Sequence, residues 1–368
     1  MKNRTVVVLH SYLAGREQEC AQGLYPRHHL WGIDALAARG WDVRLIDSTP
    51  GRSLLARINS RLGGRFGNLE QEARVLRQLR AADVIYAIIA ADLFWLVWLR
   101  QCGLIRARIV TWFYTPPAPA AAWKPRGWRQ SKSFGSGIDA ALCLTERAAA
   151  HYRAALPYSR VEQLDWGVDT EMFRPGADGV KALSGEPFFL GCGKTERDWP
   201  TLIAGVTGSR HRVRLIVPES SLAGQRLPDN VQRYSGPTTA FDDRGISYSR
   251  LIDECYAPAA AFLIPLLPSP DNASGFTNLL EAFAMGKPVV MTRTGCLDID
   301  IEAEGVGLYV EPGDPAGWAH ALDRLAGDPA LVRAMGSRAR RLAEERFSYA
   351  RFGDKLAAFF DQVCPARE

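Results

Sequence analysis

At 368 residues the chain exceeds what one hydrophobic core accommodates, and its 47% hydrophobic and 23% charged content is that of a globular protein with two domains. The net charge of +5 is uneven: residues 1–175 hold 24 Lys and Arg against 15 Asp and Glu (+9), residues 176–368 hold 21 against 25 (−4), so the first half suits an anionic membrane surface, a phosphorylated acceptor or a solvated basic face. Seven scattered cysteines without a Cys-x-x-Cys pair exclude a disulfide framework and a structural zinc, and fit a reducing cytoplasm.

Along the chain, Thr5–His10 is too short for the apolar core of a signal peptide and reads as a first strand. The loop Ser11–Tyr25 follows, then Pro26-Arg-His-His-Leu-Trp31, where His28 and His29 open a helix over about 29–39. Strands are expected at Asp42–Ile46 and Val84–Ile88, with a helix at about 69–81 between them. The apolar run Val84–Leu99 is broken by Asp92, so its second part reads as a core helix over 91–101 rather than a membrane span. Phe94, Trp95 and Trp98 leave a role at a membrane edge open. Strands at Arg108–Phe113, Ala140–Cys143 and Val161–Leu164, with a helix at 145–155, complete the first half.

A cluster of Gly, Pro and Asp in Trp166–Gly185 marks a domain junction. Beyond it come strands at Phe188–Leu190, Val213–Val217, Val231–Tyr234, Ala261–Ile264, Val289–Thr292 and Gly307–Val310. Helices are expected at about 198–206, 247–255, 276–285, 315–326 and 329–345, with a last one near the carboxyl terminus. Strands alternating with helices at this spacing imply α/β architecture, two Rossmann-like doubly wound parallel sheets in succession.

Two stretches carry chemistry. Gly193-Lys194-Thr195 matches the end of a Walker A loop, but the first glycine of that motif would fall on Phe188, so a P-loop is excluded. Ser274-Gly-Phe-Thr-Asn-Leu-Leu-Glu281 reads as a loop entering a helix whose first turn carries Gly275, Thr277 and Asn278. Unpaired amides and the dipole of such a helix start favour an anion. Glu281, one turn further on, is placed to accept from the vicinal hydroxyls of a ribose. The segment has the makings of a nucleotide diphosphate cradle.

Continued to Val290, this stretch resembles the donor site of family 4 glycosyltransferases of the GT-B fold, whose usual pattern is Glu-Gly-Phe-Gly, a few apolar residues, then Glu-Ala-Met-Ala-x-Gly-x-Pro-Val. Ser274 stands in place of the first glutamate, the spacing is one residue short, and Asp271 is the nearest substitute carboxylate. Trp166-Gly-Val-Asp-Thr-Glu-Met-Phe-Arg-Pro175 is similar to the motif that closes the first domain of that family. Leu190–Leu202 is a variant of its Gly-Arg-x-x-x-x-Lys-Gly loop, with Lys194 in the arginine's place and Arg197 in the lysine's.

The resemblance implies two domains facing a cleft: an acceptor domain over 1–172, a nucleotide-sugar domain over 173–345 and a helix in 346–368 crossing back to the first. It implies a metal-independent, retaining hexosyltransferase with no cofactor, the nucleotide sugar being a co-substrate. The donor residues are then Gly193, Lys194, Arg197, Gly236, Pro237, Ser274, Gly275, Phe276, Thr277, Asn278 and Glu281, with Lys194 and Arg197 steadying the departing diphosphate. His28 and His29 are candidates for catalysis, for contacts to the acceptor, or for capping and positioning. The histidine that relatives carry after the fourth strand is absent from Thr111–Pro117, so that part of the family mechanism does not transfer. The expected acceptor is a saccharide or a lipid-linked sugar of bacterial surface polysaccharide or glycolipid synthesis, at the inner face of the cytoplasmic membrane, with no nucleic-acid partner. An epimerase or a non-catalytic nucleotide-sugar binder on the same fold remains open, because Ser274 replaces a glutamate. A dinucleotide-dependent dehydrogenase does not fit: residues 10–16 lack Gly-x-Gly-x-x-Gly after the first strand.

Overall fold

A computed structural model describes residues 4–10, 13, 15–46, 53–62, 66–114, 135–175, 187–222, 224–234, 246–269 and 273–365. The chain forms two compact units. One comprises Met1–Gln22, Arg27–Asp165 and Ala350–Glu368; the other comprises Gly23–Pro26 and Trp166–Tyr349.

In the first unit β1 (Thr5–Leu9), β2 (Asp42–Ile46), β3 (Val84–Ala87), β4 (Arg108–Phe113), β5 (Ala140–Cys143) and β6 (Arg160–Gln163) make one parallel sheet in the order β2-β1-β3-β4-β5-β6. Central strands buried on both faces favour apolar residues at successive positions, which is why Thr5-Val-Val-Val-Leu9 and Val84-Ile-Tyr-Ala87 are runs without alternation. Strand order reverses between β1 and β3, so their carboxyl ends flank the crevice in which doubly wound sheets bind ligands.

The helix Tyr349–Val363 closes this unit. Phe360 packs edge-on against Trp41 and Tyr86, and Phe352 lies against Trp112. Arg4 pairs with Asp361 at 2.6 Å, and Arg39 with Asp354 at 2.7 Å. This contact also corrects the helix expected over 29–39. It is a 3-10 turn, Arg27–Leu30, then a separate helix, Ile33–Ala38, broken at Trp31 and Gly32. Gly32 has φ 77°, and a Cβ there would lie 2.2 Å from Leu356 Cδ2, so close helix approach fixes the break.

Other boundaries shift for local reasons. The helix expected over 69–81 ends at Leu76, and its start is set by Asn68, whose side chain accepts from Gln71 N–H. The helix expected over 91–101 is a 3-10 turn, Ala90–Asp92, followed by Trp95–Gln101. Glu72 supplies the second start, its carboxylate accepting from the Phe94 and Trp95 N–H groups at 2.5 and 2.9 Å. The short helices Arg16–Ala21 and Leu54–Arg61 were not anticipated. No helix among the described residues is long and apolar enough to cross a membrane.

In the second unit β7 (Phe188–Cys192), β8 (Arg212–Ile216), β9 (Val231–Arg233), β10 (Ala259–Ile264), β11 (Val289–Thr292) and β12 (Gly307–Val310) form another parallel sheet, ordered β12-β11-β10-β7-β8-β9. This is the Rossmann order 3-2-1-4-5-6 read from one edge, with its reversal between β7 and β10. Leu190 of β7 lies opposite Phe262 of β10 and Arg214 of β8. The helix expected over 247–255 is one α-helical turn, Tyr248–Arg250, running into a π-helical stretch, Leu251–Tyr256.

The junction segment is tied into this unit. Asp169 Oδ1 accepts from the N–H groups of Glu171 and Met172, and Phe173 is fully buried between the rings of Tyr248 and Tyr256. Arg340 donates to the carbonyls of Thr170, Phe173 and Ala284, tying the junction to the helix that enters the site. A bridge between Val168 and Ser348 places the two crossings of the chain side by side.

Candidate functional site

The loop of Lys194 and Arg197 and the helix start at Ser274–Glu281 lie where strand order reverses in the second sheet. β7 ends at Cys192, and the chain then turns through Gly193, whose φ of 108° is open only to glycine. The loop is stitched to the segment after β10. Asp198 N–H donates to Pro265 O at 3.1 Å, Leu267 N–H donates to Glu196 O at 3.0 Å, and Arg197 forms an antiparallel bridge with Leu266. Leu266 N–H donates in turn to Thr292 Oγ1 at the end of β11. Loops from three neighbouring strands thus form one continuous edge.

The helix Phe276–Ala284 enters at this edge. Its N-cap is Gly275, with φ 87° and an absent Cβ that would lie 2.7 Å from Ile264 Cγ2; any side chain would push the helix start off β10. Phe276 is buried edge-on against Phe347, so that residue can offer a ligand only its backbone. Ser274 and Thr277 are half-buried, and Lys194 is exposed at the loop tip.

A chain of hydrogen bonds joins the helix to the loop. Tyr256 Oη donates to Glu281 Oε2 at 2.7 Å, and Asn278 Nδ2 donates to the same oxygen at 3.3 Å. Asn278 Oδ1 accepts from Arg197 Nη2 at 2.8 Å. Arg197 also donates to Thr195 O at 2.7 Å and to Cys192 O at 3.3 Å. All of these acceptors are neutral, and no carboxylate pairs with Arg197 among the described residues. Burial therefore lowers its pKa to about 10. A half-buried cation hydrogen-bonded to neutral acceptors beside a helix N-terminus is an arrangement that favours an anion.

Gly236, Pro237 and Asp271 lie outside the described residues. His28 and His29 lie in the other unit, on the 3-10 turn, with His28 buried, His29 half-buried and their rings 4.3 Å apart. Two residues escaped the sequence reading. Tyr256, fully buried, gave no local sign of its bond to Glu281, 25 residues away. His10, just beyond β1 at the reversal point of the first sheet, is buried, which lowers its pKa to about 4 and keeps it neutral near pH 7.

Residues 221–328 match the family of glycosyl transferases group 1. The matched stretch contains Tyr256, Asn278 and Glu281 but not the loop of Arg197. Among curated proteins, the D-inositol 3-phosphate glycosyltransferase of Corynebacterium jeikeium is 39% identical over 103 residues, 28% of this chain and 24% of that protein. D-inositol 3-phosphate glycosyltransferase 1 of Catenulispora acidiphila is 30% identical over 222 residues, 55% of this chain and 51% of that protein. The chain thus spans from a quarter to about half the length of these relatives. Over its full length it superposes on the sucrose-phosphate synthase of Thermosynechococcus elongatus with a TM-score of 0.72 at 17% identity, covering 98% of this chain and 99% of that one. The resemblance to group 1 glycosyltransferases read from Ser274–Val290 is borne out, and so is the α/β GT-B fold.

Proposed function

We propose that this protein is a glycosyltransferase that moves a sugar from a nucleotide-sugar donor to a saccharide or lipid-linked acceptor. The second unit binds the donor: the amides at the start of Phe276–Ala284 and the Arg197 guanidinium hold the diphosphate, Lys194 reaches it from the loop tip, and Glu281 accepts from the ribose hydroxyls. Tyr256 and Asn278 orient that carboxylate. The observation that carries the reading is the half-buried Arg197 at the sheet's reversal point, hydrogen-bonded to neutral acceptors and joined through Asn278 to Glu281.

Transfer breaks the bond between the anomeric carbon and the diphosphate oxygen and forms a bond to an acceptor hydroxyl, whose proton is released. Negative charge grows on the departing diphosphate, and Arg197 and Lys194 are the cations that meet it, an arrangement suited to catalysis without a metal. The first unit takes the acceptor, with His28 and His29 as candidate contacts. Family resemblance favours retention of configuration, and a cytoplasmic enzyme acting on surface polysaccharide or glycolipid precursors. The names of the curated relatives add a phosphorylated polyol to the acceptors worth testing.

Calorimetry with UDP-, GDP-, ADP- and dTDP-sugars tests the donor site; one of the four is expected to bind with micromolar affinity, and failure of all four would overturn the assignment. Ser274, standing where relatives carry a glutamate, keeps a non-transferring binder or an epimerase in view. Release of nucleoside diphosphate from labelled donor in the presence of acceptor separates transfer from both.

A further inference from the structure

Among the described residues, the first unit carries an exposed apolar face. The helix Leu54–Arg61 has no buried residue, and Leu54 is 65% exposed. Leu55 and Ile58 are exposed beside it. Between this helix, Leu69–Leu76 and Trp95–Gln101 runs a groove of about 170 Å³, walled by Leu55, Leu69, Leu76, Trp95 and Leu99. Trp95, 41% exposed, lines it, and Trp98, 44% exposed, lies against Trp95 with ring centroids 6.3 Å apart.

Charge on this face is one-sided. Among the described residues of 53–82 there are five arginines and two glutamates. Both glutamates are turned inward: Glu70 is buried and paired with Arg74, and Glu72 is consumed in starting the helix Trp95–Gln101. Arg57, Arg61, Arg77 and Arg80 are exposed. On the helix Leu54–Arg61, Arg57 and Arg61 follow Leu54 and Ile58 at i+3, so the cations flank the apolar stripe.

We propose that this face docks on a lipid bilayer bearing anionic headgroups. Leu54, Ile58, Trp95 and Trp98 enter the boundary between headgroups and acyl chains, and the flanking arginines meet lipid phosphates. Tryptophan suits that boundary because its ring is apolar and its N–H is polar. A second copy of the chain is a poor occupant. A two-fold interface would set this patch against itself and bring two arginine clusters together with no outward carboxylate between them. The surface lies in the first unit and does not depend on the donor reading, although it would hold the enzyme where a lipid-linked acceptor resides.

Full-length protein is sedimented with vesicles of phosphatidylglycerol and phosphatidylcholine, and with phosphatidylcholine alone, at low and high salt. Binding is expected to the anionic vesicles, and to weaken with salt. Arg57→Ala and Arg61→Ala should each lower the partition coefficient about fivefold. Leu54→Ser with Ile58→Ser should lower it further, and quenching by brominated lipid should fall in Trp95→Phe and Trp98→Phe. Circular dichroism of these exposed-site variants should match wild type. The proposal is overturned if anionic vesicles fail to bind the protein, if none of the substitutions changes binding, or if the protein is a dimer that Leu54→Ser dissociates. No nucleotide sugar enters the experiment, so its failure would leave the donor site untouched.

Discussion

Replacing Arg197 with methionine separates a binding cation from a structural brace, because the empty and occupied proteins respond differently. In the empty protein burial lowers the guanidinium pKa from 12.5 to about 10. That difference corresponds to about 3 kcal/mol of desolvation borne by the charged form. Against it stand the hydrogen bonds to Cys192 O, Thr195 O and Asn278 Oδ1, each contributing about 1 kcal/mol. The two sums nearly cancel. Arg197→Met should therefore change the stability of the empty protein by no more than about 1 kcal/mol, since methionine retains most of the stem's packing.

With a diphosphate bound the balance changes. The guanidinium gains a charge-assisted partner whose loss costs about 1.5–3 kcal/mol, a fall in nucleotide affinity of about 10- to 150-fold. Calorimetry of the preferred nucleoside diphosphate and denaturant titration of the empty protein measure the two quantities separately. A variant that loses several kcal/mol of stability yet binds nucleotide normally would refute the argument, and Arg197 would be a loop brace.

Glu281→Ala should weaken donor binding by about 1–3 kcal/mol, read by calorimetry, while a 2′,3′-dideoxy nucleotide should bind wild type and variant alike because it has no hydroxyls to donate. Gly193→Ala introduces a Cβ 2.5 Å from Arg197 Nη2 at a backbone φ of 108°. It should displace the guanidinium and lower nucleotide affinity several-fold, with the far-ultraviolet spectrum unchanged. For His10 the folded pKa of about 4 lies below the ordinary 6.5. Between those values the unfolded chain binds the proton, so stability fully present above pH 6.5 is lost as the pH falls toward 4, by about 2 kcal/mol at pH 5. His10→Asn should flatten that part of the pH–stability curve in denaturant titrations.

The twelve strands among the described residues are all legible in the sequence. Central ones such as Thr5–Leu9 and Ala259–Ile264 are nearly unbroken apolar runs, as burial on both faces requires. Edge strands such as Asp42–Ile46 and Val231–Arg233 are read from their place in the alternation of strands with helices. Helices are read less well where tertiary contact sets their limits. Nothing near Gly32 announces that Leu356, more than three hundred residues away, will press against it and split one expected helix into two. Leu54–Arg61 buries nothing, so it lacks the amphipathic demand of a core-facing helix; only Ser53, which caps it through Ala56 N–H, was a local sign.

The candidate site divides in the same way. Glu281 is singled out in the sequence by the chemistry of an anion at the start of its own helix, and Arg197 by the resemblance of its loop to a cationic family loop. Their coupling is not. Arg197 and Asn278 are 81 residues apart and meet because β10 lies beside β7 in the sheet, while Tyr256 and Glu281 sit on the segments before and after β10. Strand order thus brings together a cation from one loop, an amide and a carboxylate from a helix, and a phenol from the π-helical segment before β10. Substituting Tyr256 by phenylalanine would leave the helix and loop in place but free the carboxylate to rotate. Loss of ribose recognition with diphosphate binding retained is therefore the signature that would distinguish a positioned Glu281 from one that is merely near.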